Sequence, residues 1–138
     1  MAGHPFATTF VPPFTTFYGL YDRACSFGVK GDYALYPAAE KAKGLLDLST
    51  PLNTICTADI TGGNSGSPII DGSGNLMGIA FDGNSEALSG DIVFEKQWQK
   101  TINVDVRYVL WVIDKFAGAK HLIAEMNLIK DQDTPEDK

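Results

Sequence analysis

The sequence predicts a mostly β domain closed by helices at its C-terminal end. Three observations carry this. The chain opens on a stretch rich in aromatics, Thr and Pro (Phe10, Pro12, Pro13, Phe14, Phe17, Tyr18), which favours extended backbone. Its middle alternates short β-type runs with Gly/Asn/Ser turns. After Asn103 the apolar spacing changes from strand-like to helix-like.

In order, residues 1 to about 20 read as an extended segment draped over a core, because adjacent prolines exclude a regular helix or central strand there. Residues 38–46 suit a short helix, and Asp47 to Pro51 a turn. Asn53 to Ala58 suits a strand. A Gly-rich loop follows at 61–66, then a strand over Ser67–Asp71, a turn at Gly72-Ser73-Gly74-Asn75, and a partner strand over Leu76–Phe81. A Gly/Asn/Ser-rich loop runs from Gly83 to Gly90. Asp105 is placed to cap a helix carrying Val106, Val109, Leu110 and Ile113 on one face. Gly118 fits a break or C-cap, and a second helix carries Leu122, Ile123, Met126 and Ile129. The expected organisation is therefore a β portion over 1–103, terminal helices over 104–129 and a disordered tail over 130–138.

Composition narrows the function. Hydrophobic content of 44% and charged content of 20% suit a packed soluble domain. A net charge of -6 without a Lys/Arg run argues against a nucleic-acid partner. No apolar stretch reaches the roughly 18 residues needed to cross a bilayer. The start, Met1-Ala2-Gly3-His4-Pro5, reads like an artificial junction and has no signal-peptide pattern. Cys25 and Cys56 fit one disulfide or two buried thiols equally well. No cofactor is implied, and no His/Cys/Asp/Glu cluster has metal-binding spacing.

The segment Thr61-Gly62-Gly63-Asn64-Ser65-Gly66-Ser67-Pro68 carries the chemistry. A serine hydroxyl attacks a carbonyl only with a base to take its proton and donors to hold the oxyanion. Glycines at 62, 63 and 66 let the loop bend around Ser65 and aim the N–H groups of Gly63 and Ser65 at one point. The plain alternative is a turn, since Gly/Asn/Ser clusters are usually that.

The ordered string Thr57-Ala58-Asp59-Ile60, TGGNSGSP, Gly78-Ile79-Ala80-Phe81-Asp82-Gly83-Asn84 and Val104-Asp105-Val106-Arg107-Tyr108 resembles the C-terminal part of bacterial serine dipeptidyl peptidases of the seven/eleven type. Val11 to Phe17, Gly19-Leu20-Tyr21, Ile113-Asp114-Lys115 and Glu125-Met126-Asn127 extend the resemblance over about residues 10–128. It implies a chymotrypsin-like double β-barrel with an inserted helical domain, of which this chain would be the second barrel. It implies release of dipeptides from peptide N-termini by a periplasmic or secreted homodimer using a His/Asp/Ser triad. Ser65 then matches the nucleophile, and Gly63 and Ser65 the oxyanion-hole donors. The position 18 residues after Ser65, Gly83, matches the site where an Arg marks the acidic-specific members. Gly83, with Phe81 and Asp82 beside it, implies a pocket for an uncharged residue before the cut. The bland reading of Gly83 is a loop glycine, and both can hold.

The other triad members are not found. Only His4 precedes Ser65, and His121 lies on a helical stretch where a surface role is expected. Asp59, Asp82 and Asp91 read as turn or cap residues rather than a triad Asp. The chain is therefore expected to be inactive alone, lacking the first barrel and helical domain, and to self-associate through the face they would cover. Two other readings stand: a piece of a glutamyl-endopeptidase-like serine protease, and a non-catalytic assembly module.

Overall fold

The computed structural model describes residues 4–6, 9–11, 15–28, 30–90 and 92–130, with backbone only for 4–6 and 9–11. A hairpin of β1 (His4–Phe6) and β2 (Thr9–Val11) stands apart from the main sheet. The main sheet contains β3 (Thr15–Thr16), β4 (Pro51–Cys56), β5 (Pro68–Ile70), β6 (Leu76–Gly83) and β7 (Thr101–Asp105). Its order is β3-β4-β7-β6-β5, and every pairing is antiparallel. The two-residue β3 and three-residue β5 form opposite edges. The sheet is thus open among the described residues, where a closed barrel was expected. Closure would need these two edges to meet, and strands this short leave few ladder bonds with which to do so.

The larger departure lies near the N-terminus. Residues 17–20, expected to be extended, begin helix α1 (Phe17–Phe27). Phe17, Tyr21 and Ala24 recur at helical spacing and are buried on one face. No side chain of the described residues caps this helix. Instead the N–H groups of Phe17 and Tyr18 donate to the carbonyls of Thr50 (3.2 Å) and Leu48 (2.8 Å). The turn over 47–50 therefore satisfies donors that a helix start leaves orphaned. Pro12 and Pro13 lie outside the described residues.

Helix α2 (Pro37–Ala42) forms as expected, continued by a 3-10 turn over Lys43–Leu45. The Tyr21 hydroxyl donates to the Ala39 carbonyl at 2.6 Å and ties α2 to α1. Burial raises the Tyr21 pKa. Between β5 and β6, the Asp71 carboxylate accepts from Ser73 N and Asn75 N (2.8 Å each) and from Asn75 Nδ2 (3.0 Å). The Asn75 hydrogen bonds hold the Asp71 carboxyl below its ordinary pKa.

β7 was not expected as a strand, and it crosses the sequence boundary drawn at 103. Its side chains alternate, with Thr101, Asn103 and Asp105 buried. Asp105 then caps α3 (Val106–Trp111), accepting from Arg107 N at 2.8 Å, as expected. It also receives Arg107 Nε at 2.9 Å and Nη2 at 2.8 Å. The Asn103 amide has no partner for its N or O among the described residues. Phe17 packs edge-on against Tyr108 (5.6 Å) and Trp111 (5.0 Å), so α1 and α3 share an aromatic core. A π-helical turn over Val112–Phe116 continues α3, and Gly118, at φ +63°, breaks the chain before α4 (Lys120–Glu125). Cys25 and Cys56 are free thiols. The expected disordered tail lies, apart from Lys130, outside the described residues.

Candidate active site

The Ser65 loop occupies the end of the β5–β6 ladder. Gly66 N donates to Ala80 O at 2.8 Å, and Ala80 N donates to Ser67 O at 2.9 Å. These two bonds anchor the loop to Ala80, which is fully buried. On the other side Asn64 braces it. Its Oδ1 accepts from Thr61 N (2.9 Å), its N–H donates to Thr61 O (3.1 Å), and its carbonyl accepts from Ser67 N (3.0 Å). Gly63 and Gly66 hold φ values of +101° and +93°, which a side chain would strain. Ser65 is thus exposed on a short, doubly anchored turn.

Its hydroxyl donates to the carbonyl of Phe81 at 3.2 Å. That carbonyl belongs to a β-bulge. β6 pairs Ala80 with Asn103 and then Asp82 with Ile102, so Phe81 is the extra residue. A peptide carbonyl accepts a hydrogen bond but is too weak a base to take the proton. No imidazole or carboxylate among the described residues bonds this hydroxyl. Gly63 and Ser65 are both exposed, and their N–H groups donate to no other described residue. Two free donors beside an exposed hydroxyl are what an oxyanion site needs.

Gly83 ends β6 opposite Thr101. A Cβ at this position would stand 2.9 Å from the Ala87 Cβ on the 3-10 turn over Ser85–Ser89. The 3-10 turn therefore stands directly against Gly83. Phe81 is partly exposed, and Asp82 turns its carboxylate back onto Gly83 N at 2.8 Å. Lys100, the residue before β7, donates its ammonium to the carbonyls of Lys96 and Gln97. Phe81, Asp82 and Gly83 lie together, then, with no cation directed at Gly83 among their described partners.

The remaining candidates lie elsewhere. Asp59 is exposed, and His121 is exposed on α4. The His4 side chain and Asp91 are outside the described residues. No group of three or more His, Cys, Asp or Glu among the described residues is placed to hold a metal. No described helix is long and apolar enough to cross a membrane. A cavity of about 590 Å³ lies between the 47–51 turn and α3–α4, lined in part by Arg107, Trp111 and Asp114, and does not include Ser65. Sequence reasoning missed Asn84 and Gln99, which organise the loop beyond Gly83. Their sole signal was polar residues bracketing a Gly/Ser-rich stretch.

The profile of the family described as Peptidase S46 matches residues 2–128. The chain belongs to the peptidase S46 family. Dipeptidyl-peptidase 7 of Capnocytophaga gingivalis is 62% identical to it over 72 residues, which are 52% of this chain and 10% of that protein. The Asp/Glu-specific dipeptidyl-peptidase of the same organism is 54% identical over 80 residues, 58% of this chain and 11% of that protein. Among solved structures, Porphyromonas endodontalis DPP11 in complex with the dipeptide Arg-Glu superposes with a TM-score of 0.72 at 32% identity. That match covers 91% of this chain and 19% of that one. The S46 chain described here thus spans about a tenth of the curated relatives it matches.

Proposed function

We propose that this chain is the nucleophile-bearing segment of a serine dipeptidyl peptidase, and that Ser65 is the nucleophile. One observation carries the reading. In a chain of the S46 family, Ser65 is exposed on a rigid glycine turn beside the unpaired N–H groups of Gly63 and Ser65. Those two donors would hold the oxyanion formed when Ser65 Oγ attacks the second peptide bond of an oligopeptide. The Ser65 proton rests on the Phe81 carbonyl. For attack it must pass to a base, which we assign to an imidazole–carboxylate pair in a part of the enzyme beyond this chain. The open sheet would complete a chymotrypsin-like barrel there. A periplasmic or secreted homodimer remains the expected setting.

The residue before the cut would be uncharged. Gly83 and the methyl of Ala87 line that position, and Asp82 would repel an acidic side chain. Within one organism, identity is also higher to dipeptidyl-peptidase 7 (62%) than to the Asp/Glu-specific enzyme (54%).

The test uses a chimera in which residues 2–128 replace the matching stretch of C. gingivalis dipeptidyl-peptidase 7. The chimera should release dipeptides, its Ser65→Ala variant should lose at least about a thousandfold in kcat, and the isolated 138-residue chain should show no turnover. A Ser65→Ala chimera that retains activity refutes the assignment. Turnover by the isolated chain refutes the need for an outside base.

A further inference from the structure

Beyond Gly83 the chain makes a closed excursion over residues 84–100. Its two ends are joined by Asn84. The Asn84 N–H donates to Lys100 O (3.0 Å), its Oδ1 accepts from Lys100 N (2.9 Å), and its Nδ2 donates to Trp98 O (2.8 Å). Inside the excursion sits Gln99, only 3% exposed. Its Oε1 accepts from Glu95 N at 2.9 Å. Its Nε2 donates to Val93 O and to Ser89 Oγ, both at 3.0 Å. One buried amide therefore satisfies three partners spread along the loop. Ser89 passes the constraint on, donating its own hydroxyl proton to Glu86 O at 3.0 Å. Gly90 allows the close approach: a Cβ there would stand 3.0 Å from Ala87 O and 3.4 Å from Gln99 Oε1. The far end of this chain of contacts is Ala87, against Gly83.

We propose that Gln99 is a positioning residue for substrate selection, setting through Ser89 and Ala87 the wall that faces Gly83. The inference rests on the assignment of Gly83 to the substrate pocket. The loop's outer surface is apolar and exposed (Leu88, Ile92, Val93, Trp98), so burial of these side chains does not hold its shape. Its internal polar bonds do, and Gln99 supplies three of them. Without the amide, the 85–89 turn would move away from Gly83 and the wall would lose its definition.

The test is Gln99→Met, which keeps the length and removes every side-chain hydrogen bond. In the 138-residue chain, amide hydrogen exchange should quicken about tenfold or more at Ala87, Gly90, Ile92 and Val93. Exchange in the β4–β7 ladder should stay unchanged. Equal acceleration everywhere, or none in the loop, overturns the proposal. In the chimera, the same substitution should change the ratio of kcat/KM for large and small apolar residues before the cut by about fivefold or more, mainly through KM. A Ser65-dependent chimera whose ratio is unmoved by Gln99→Met overturns the role of Gln99 alone. A chimera whose activity does not depend on Ser65 instead counts against the proposed function and, with it, the role in selection.

Discussion

Replacing Gly83 with Ala isolates the contact that shapes the candidate pocket. The added methyl would stand 2.9 Å from the Ala87 Cβ. Carbon atoms in comfortable contact sit about 3.5–4.0 Å apart, so the 85–89 turn must retreat by roughly 0.6–1.1 Å. It cannot do so freely, since Asn84, Ser89 and Gln99 tie it down. Overpacking of this kind costs about 1–3 kcal/mol. Gly83 is not at a positive φ, so alanine there also restricts the unfolded chain, returning about 0.4–1 kcal/mol. The net destabilisation expected is about 0–2.6 kcal/mol, read from urea unfolding followed by the fluorescence of Trp98 and Trp111. Removing the opposing methyl should relieve the clash. In Gly83→Ala/Ala87→Gly the coupling should be at least about 1 kcal/mol in the restoring direction. Single-variant costs that add within about 0.5 kcal/mol would refute the argument, because independent sites behave that way.

Asp105→Ala removes the α3 cap and the Asp105–Arg107 hydrogen bonds, so unfolding free energy should fall by about 2 kcal/mol or more in urea titration. Asn103→Val replaces a buried amide without partners among the described residues by an apolar side chain, and should be neutral or stabilising by up to about 1 kcal/mol in the same assay. The Asp71 carboxyl has a lowered folded pKa, so its support of the 72–75 turn is present above the unfolded value of about 3.9. That support is lost as pH falls through the folded value. NMR of the Ser73 and Asn75 amides should show both bonds released in acid, a transition absent in Asp71→Asn.

How much of this was legible in the chain depends on where each partner lies. The β5–β6 hairpin and the Asp105 cap were readable because their determinants are neighbours in sequence. Asp71 bonds residues two and four positions on, and Asp105 a residue two positions on. The start of α1 was not readable, because its N–H groups are satisfied by Leu48 and Thr50, some thirty residues away. β7 was masked by its own residues. Thr, Asn and Asp occupy its buried face, where the alternation rule looks for apolar side chains.

The candidate site divides in the same way. Glycines at 63 and 66, a serine between them and Gly83 downstream are properties of the string itself, and local backbone freedom suffices to make them a bent, exposed turn. The string does not contain what stands opposite. The Phe81 bulge that receives the Ser65 hydroxyl, the Ala87 methyl against Gly83 and the Gln99 amide behind it arise from strand pairing and loop closure. The sequence alone determined the family, through an ordered run of motifs, and the bent turn that carries Ser65, because backbone conformation at a few glycines is a local matter. Tertiary structure decided what stands against Gly83 and the resting partner of Ser65, because both are contacts between segments that meet only when the sheet forms.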